Sequence, residues 1–330
     1  MDRILHVFSS GEFHQKGKTL YFQSATEKRY IPIENVGAIY IHGEVSFNKR
    51  FLEFLADHEI ILHYLNHYGY YIGSFYPREH YASGHMTLKQ AAAYLDGDQR
   101  RFLARAFVMG ASRNMGKVLE YYHRRGKPVE EIRERMAELE VLIAHQESID
   151  QLMAIEGNIR DLYFDGFDHI VERTEFRWEG RSRRPPTNAL NALVSFGNTL
   201  MYTTVLSEIY KTHLDPRIGY LHATNHRRFS LNLDVAEIFK PILVDRLIFT
   251  LINKRMITVD QFQRVKGGII MDEAARKTFV SQYDEKLRAV IFHRKSRRNI
   301  SYRRLIRMEL YKLEKHLLGE SIYDPFVALW

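Results

Sequence analysis

Between Gly219 and Pro241 the chain reads GYLHATNHRRFSLNLDVAEIFKP, and its side chains have the types and spacing to do chemistry. His222 precedes a segment of helical periodicity that places Asp234 and Glu237 three residues apart, so both carboxylates leave from one helix face. Two acids and an imidazole on adjoining pieces of chain suit a hard divalent cation. Arg227 and Arg228, lying between them, would repel a bare metal but fit one whose substrate is an anionic phosphate ester. The same residues also admit a plain structural role. Acids in a first helical turn favour the macrodipole by roughly 0.3–1 kcal/mol, and a histidine in a loop needs no chemistry.

A further carboxylate stands out in IDQLMAIEGNIRDLYFDGFDHIV. Leu152, Ile155, Ile159, Leu162 and Tyr163 form an apolar helical stripe, and Glu156 adjoins it, followed by Gly157. An acid at that edge either faces a cleft as a ligand or lies in water.

Three lookalikes carry less. GEFHQKGKT (Gly11 to Thr19) imitates a phosphate-binding loop, but five residues separate its glycines and the strand-like TLYFQ replaces the helix, so a hairpin turn is expected. His63 and His67 have metal-ligand spacing, yet IILHYLNHYGYYIGSFY alternates like a strand and makes them sheet residues. His222 and His226 in HATNH have the zincin spacing, but Ala223 stands where such a helix carries its glutamate.

The elements around these residues fall into two parts. From Arg3 to about Tyr76, the runs ILHVF, TLYFQ, RYIPI, GAIYIHG and IILHYL are β-branched and aromatic and punctuated by Gly and Pro, with one short helix near Asn48 to Asp57. YPREHYASG reads as a linker. Beyond it LKQAAAYL is a short helix, and Asp98 is the expected cap of a long one that stops at Gly126-Lys127-Pro128. FRWEGRSRRPP, with Arg183 and Arg184, is expected to be a mobile basic loop that orders on an anion. NALNALVSFGNTLMYTTVLSEIYKTH is a helix whose Ala192, Ser195 and Gly197 permit close packing. Pro241 is expected to kink the helix that carries Glu237.

Length and composition bound the class. The 330 residues, 45% hydrophobic and 27% charged, make a globular chain long enough for one large domain or two ordinary ones. The net charge of +8 is uneven: residues 1–80 carry 8 Lys/Arg against 9 Asp/Glu, the remainder 40 against 31. The near-neutral first part suits a protein partner, the later part a polyanion. From Lys286 to Arg307 nine Lys/Arg, including Arg294, Lys295, Arg297, Arg298, Arg303 and Arg304, meet no acid, so counter-charge from nucleic acid is expected. The absence of cysteine excludes disulfides and thiolate zinc sites. No signal-like apolar region and no apolar run of about 18 residues occurs, and a cytoplasmic protein without a membrane span is expected.

Taken together, AIEGNIRDLYF, NALNALVSFGNTLMY, the GYLH ending in His222 and SLNLDVAEIFKPILVDRLI resemble the spacer-acquisition integrases of CRISPR systems, the Cas-one family, over nearly the whole chain. The resemblance implies an α+β protein with a small N-terminal β-sandwich-like domain followed by a larger all-α catalytic domain. Residues 1–80 would be a dimerisation domain, 81–86 a linker, and 87–330 the metal-binding and DNA-binding domain. It maps the family's metal ligands onto Glu156, His222 and Glu237, with Mg²⁺ or Mn²⁺ as cofactor and Asp234 as an auxiliary acid. Asn198 departs from the tyrosine many relatives carry. Implied partners are prespacer duplex DNA, the CRISPR repeat and leader, a second copy of the chain, and the Cas-two protein in a heterohexamer. The activity implied is joining of prespacer 3′-hydroxyl ends to the repeat by strand transfer. The rival readings are a general metal-dependent nuclease that uses water, and a helical nucleic-acid-binding module without catalysis.

Overall fold

The computed structural model describes residues 3–17, 19–33, 36–66, 68–77, 81, 83–182, 185–222, 229–293 and 297–329. The chain divides into two compact units, Met1–His80 and Tyr81–Trp330. The first is β-rich and the second mostly helical, in line with the expected α+β class.

In the first unit, alternating side chains build two four-stranded sheets. One has the order β1 (Arg3–Val7), β5 (Val36–Ile41), β7 (Ile61–Leu65), β8 (Tyr71–Phe75), parallel except for β8. The other runs β4 (Lys28–Ile31), β3 (Thr19–Ser24), β2 (Gly11–Lys16), β6 (Val45–Phe47), antiparallel except for β6. Leu5, Val7, Ile39, Ile41 and Leu62 from the first sheet share one apolar core with Phe13, Leu20 and Phe22 from the second. The helix α1 (Lys49–Asp57), capped by Asn48, adds Phe51, Phe54 and Leu55. The phosphate-loop lookalike is the β2–β3 hairpin, with Gly17 at φ 61° in its turn. His63 is a fully buried sheet residue whose Nδ1 lies 2.6 Å from Ser74 Oγ; His67 lies outside the described residues.

The second unit opens with α2 (Gly84–Leu95) and α3 (Gly97–His123). Because α2 begins at Gly84, the helix takes in the last three residues of the expected linker. The cap of α3 is Asp96 rather than Asp98: its Oδ1 accepts the N–H groups of Asp98 and Gln99 at 2.9 and 3.1 Å. Asp96 has extended backbone, which lets its carboxylate turn back on the first helical donors, whereas Asp98 is already inside the first turn. Next come α4 (Glu130–Ile143), α5 (Ile149–Asp165) and the short α6 (Phe167–Ile170). A capping box between Ser148 and Gln151 starts α5.

The centre of this unit is the continuous segment α8 (Leu231–Lys240), a π-helical turn (Pro241–Asp245) and α9 (Arg246–Asn253). It packs against α3 and α7 (Ala189–Ile209). Leu231, Val235, Ile238 and Phe239 are all buried, each stabilising the fold by roughly 1.5–3 kcal/mol. Instead of a simple proline break, the chain absorbs Pro241 in the π turn, where Arg246 N–H reaches back to the Pro241 carbonyl. Gly197 permits the close approach expected of it: a Cβ there would stand 2.5 Å from Val244 Cγ1 and 2.9 Å from Phe279 Cζ.

The last part is not helix and turn alone. Two ribbons, β9 (Phe262–Val265) with β10 (Gly268–Met271) and β11 (Val290–His293) with β12 (Arg298–Ser301), flank α10 (Glu273–Arg288), and α11 (Tyr302–Leu317) follows. The expected all-α domain is thus mostly helical with two hairpins. Strands of four residues are too short for alternation to stand out from a helical background.

Candidate active site

Asp234, in the first turn of α8, organises the segment that carries His222. Its Oδ2 accepts the backbone N–H of Tyr220 at 2.6 Å and of Leu221 at 3.1 Å, and its Oδ1 accepts that of His222 at 3.0 Å. His222 Nδ1 lies 2.8 Å from the same Oδ1. An acid that takes three backbone donors is an acceptor throughout, so Nδ1 is the donor in this contact and Nε2 is the ring nitrogen not committed to Asp234. Gly219 allows this: a Cβ would stand 2.7 Å from Ser230 C and 2.9 Å from Asp234 Oδ2. Ser230 Oγ, which accepts from Gly219 N at 2.9 Å and donates to Arg217 O at 2.8 Å, closes the segment onto the start of α8. Arg100 of α3 fixes its outer side through Tyr220 O at 3.1 Å.

Glu156 and Glu237 come from different helices and are both buried. The Arg160 guanidinium joins them, one nitrogen donating to Glu156 Oε1 and to Glu237 Oε2. Lys240 Nζ donates to Glu237 Oε1 at 2.6 Å and to Tyr202 Oη at 2.6 Å. Burial pushes the Glu156 carboxyl up, against the pull of Arg160 and with Glu237 adding to the rise. Burial pushes Glu237 up as well, but Arg160, Lys240 and His222 outweigh it and hold that carboxyl well below the usual range. His222 acts on the charge of both glutamates, so the three side chains share one electrostatic neighbourhood. One turn beyond Lys240, burial raises Asp245 to about 7.

Two carboxylates and an imidazole with a free Nε2 fit a hard divalent ion chemically, and the glutamate pair already draws a cation between its members. Among the described residues, no three His, Asp or Glu side chains form a ready cage, and the Arg160 guanidinium is bonded to both glutamates. Residue type and resemblance do not single out Arg160 and Lys240. Their positions four after Glu156 and three after Glu237 are the intrahelical ion-pair spacings, a signal that was there to read. Tyr202 had no such mark.

The cations expected to meet DNA divide. Arg227, Arg228, Arg183, Arg184, Arg294 and Lys295 lie outside the described residues, as do Ala223 and His226. Arg297, Arg298 and Arg304 are exposed. Arg303 is engaged instead: its Nε donates to Glu208 Oε1 at 2.7 Å, and Arg307 Nε donates to Glu208 Oε2 at 2.6 Å. Glu208 is fully buried on α7. Lys286 is half-buried, its ammonium pushed down to about 7 by burial and Arg246. The block therefore has an internal counter-charge, supplied from α7, where a local window of sequence does not look. The arginine-rich loop is also anchored where it is described. Asn191 Nδ2 donates to Gly180 O at 2.8 Å, Asn191 Oδ1 accepts from Arg181 at 2.8 Å, and Trp178 stacks on Phe164 with ring centroids 4.3 Å apart. Among the described residues no helix is long and apolar enough to cross a membrane.

Comparison with known proteins places these features in a wider set. The family model described as CRISPR associated protein Cas1 matches residues 5–285. The chain is 55% identical over 330 residues, all of both chains, to CRISPR-associated endonuclease Cas1 2 of Thermodesulfovibrio yellowstonii. A solved Cas1 protein from Thermotoga maritima superposes with a TM-score of 0.89 at 44% identity, covering 98% of this chain and 100% of that one. A casposase bound to integration product matches with a TM-score of 0.87 over 99% of this chain and 93% of its own; at 18% identity this is a likeness of fold.

Proposed function

Because the chain belongs to the Cas1 family of CRISPR-associated proteins, we propose that it is the integrase and endonuclease of CRISPR adaptation, joining 3′-hydroxyl ends of prespacer duplex DNA to the CRISPR repeat by strand transfer. The observation that carries this reading is the buried pair Glu156 and Glu237, drawn together across a cation beside a histidine whose ring Asp234 orients. Glu156, His222 and Glu237 are the proposed ligands of Mg²⁺ or Mn²⁺, which when bound supplies Lewis acidity toward a phosphate oxygen and eases loss of the attacking hydroxyl's proton.

The chain's own residues do the rest. Asp234 holds the imidazole through Nδ1, leaving Nε2 as the atom that would bind a metal, and Lys240 holds Glu237 in place through its 2.6 Å hydrogen bond. Exposed Arg297, Arg298 and Arg304 track phosphates without reading bases. Strand transfer breaks one phosphodiester and makes another, so no nucleotide hydrolysis is called for, in keeping with the hairpin found where the phosphate-loop lookalike stands.

In the same reading the first 80 residues form a homodimer, two such dimers flank a dimer of Cas2, and the assembly works in the cytoplasm. The near-neutral charge of that unit supports a protein partner there. The name of the Thermodesulfovibrio relative, an endonuclease, supports water attack as a side activity of the same site.

A duplex carrying a 5′ label, incubated with a repeat-containing target, Cas2 and Mn²⁺, tests the proposal. The label should move into a larger product, and Glu156→Ala, His222→Ala, Glu237→Ala or a chelator should abolish that. Label found only in shorter fragments makes the protein a nuclease. Binding indifferent to chelator, with no product of either kind, makes it a non-catalytic module.

A further inference from the structure

Arg160 lies between the two glutamates of the site. Its guanidinium contacts Glu156 of its own helix and Glu237 of α8, with side-chain exposures of 19%, 7% and 4% for Arg160, Glu156 and Glu237. Two acids buried this deeply are costly to hold together without positive charge between them. Among the described residues Arg160 is the hydrogen-bond partner of Glu156, whereas Glu237 also has Lys240. Moving the guanidinium away would leave Glu237 partnered and Glu156 open. The space it fills is the space a divalent ion shared by both carboxylates would occupy.

We propose that Arg160 is a displaceable internal counter-cation: it keeps the seat between Glu156 and Glu237 until a divalent ion takes it, and its released guanidinium then binds a phosphate of the DNA. The proposal rests on the reading of the two glutamates as metal ligands. Exchange of one cation for another keeps the acids compensated throughout. A fork of donors that fits carboxylate geometry fits phosphate equally well, so the displaced group has a natural second partner. The seat is open to metal only for the fraction of time Arg160 is out of it, which weakens apparent metal affinity by that fraction. By reciprocity, metal and phosphate strengthen each other's binding.

The test is Mn²⁺ titration without DNA, followed by the electron paramagnetic resonance of the free ion, on the wild type, Arg160→Gln and Arg160→Lys. Arg160→Gln should bind Mn²⁺ about tenfold more tightly, the size expected if the seat is open about a tenth of the time. Its metal-free melting temperature should fall and be recovered by Mn²⁺. Arg160→Lys, which retains charge but reaches less far, should bind about threefold more tightly and carries the test if the glutamine variant does not fold. Unchanged or weaker Mn²⁺ binding in a folded variant overturns the proposal and leaves Arg160 a structural bridge. A wild type that binds no Mn²⁺, with Glu156→Gln and Glu237→Gln indistinguishable from it, overturns the ligand reading itself. Mn²⁺ should also strengthen wild-type binding of a short duplex more than it strengthens that of Arg160→Gln; an equal gain removes the phosphate half of the proposal.

Discussion

Asp234 and His222 are joined twice through one oxygen: Oδ1 of the acid accepts the backbone N–H of His222 at 3.0 Å and its ring Nδ1 at 2.8 Å. Spacing alone groups Asp234 with Glu237 as paired ligands, yet Asp234 is fully buried and saturated by donors from residues 220–222. Its work is to place the imidazole. In Asp234→Asn an amide NH₂ must face backbone donors, which should destabilise the protein by about 2–4 kcal/mol. Loss of the ring's orientation should weaken Mn²⁺ binding ~10 to 100-fold. Urea unfolding and Mn²⁺ titration measure the two effects, and a variant as stable and as tight as wild type would show that the contact organises nothing.

The same segment sets a contrast between two glycines. In Gly219→Ala the new Cβ meets backbone at 2.7 Å, so the segment must move, at a cost of about 1–3 kcal/mol. Gly157, beside Glu156 on α5, has nothing within 4 Å of a built Cβ, and Gly157→Ala should stabilise by about 0.5–1 kcal/mol through helix propensity. Thermal melts of the pair should therefore shift in opposite directions; a shared direction would argue against the close approach at Gly219.

Glu208 gives the pH dependence. Burial pushes its carboxyl up from 4.5, but Arg303 and Arg307 win and hold it lower. With the folded value depressed, the unfolded chain takes the proton first. The stability from this trio is therefore full above about 4.5 and drains as the pH falls through the folded value. Glu208→Gln should lower stability at neutral pH by about 3–5 kcal/mol and flatten that acid limb. Urea midpoints between neutral and acid pH would reveal the change in slope, and parallel curves would remove Glu208 from the balance.

Much of the fold was legible, and the reasons for the gaps are physical. Hydrophobic periodicity marked the β-rich unit, α5, α7 and α8, because each buries one face or all faces over many residues. The four-residue ribbons escaped it. At the site, Glu156, His222 and Glu237 stand out by type and by resemblance, whereas Arg160 does not, because its role depends on an acid whose burial local sequence does not state. Arg303 and Arg307, within the basic block, read as unopposed for the same reason. Their counter-charge lies on α7, and a run of cations reads as unopposed until the tertiary structure brings the acid across.

That division makes a forecast for DNA binding. Replacing Arg298 and Arg304, both exposed, with Ala should lower the slope of log affinity against log salt by about 0.9 for each phosphate no longer neutralised, with the melting temperature unchanged. Replacing Arg303 or Arg307 should instead lower the melting temperature, since each leaves Glu208 buried with one cation fewer. Salt titration of duplex binding, beside a melt, separates the two groups. An unchanged slope in the first pair would place the DNA elsewhere.

The most direct measurement is anomalous diffraction from a crystal of the protein soaked in Mn²⁺. One manganese peak should lie within about 2.0–2.4 Å of a Glu156 oxygen, a Glu237 oxygen and His222 Nε2, with the Arg160 guanidinium turned out of the space between the acids. A crystal saturated with Mn²⁺ in which Arg160 still bridges the glutamates, and no peak touches any of the three side chains, would contradict it.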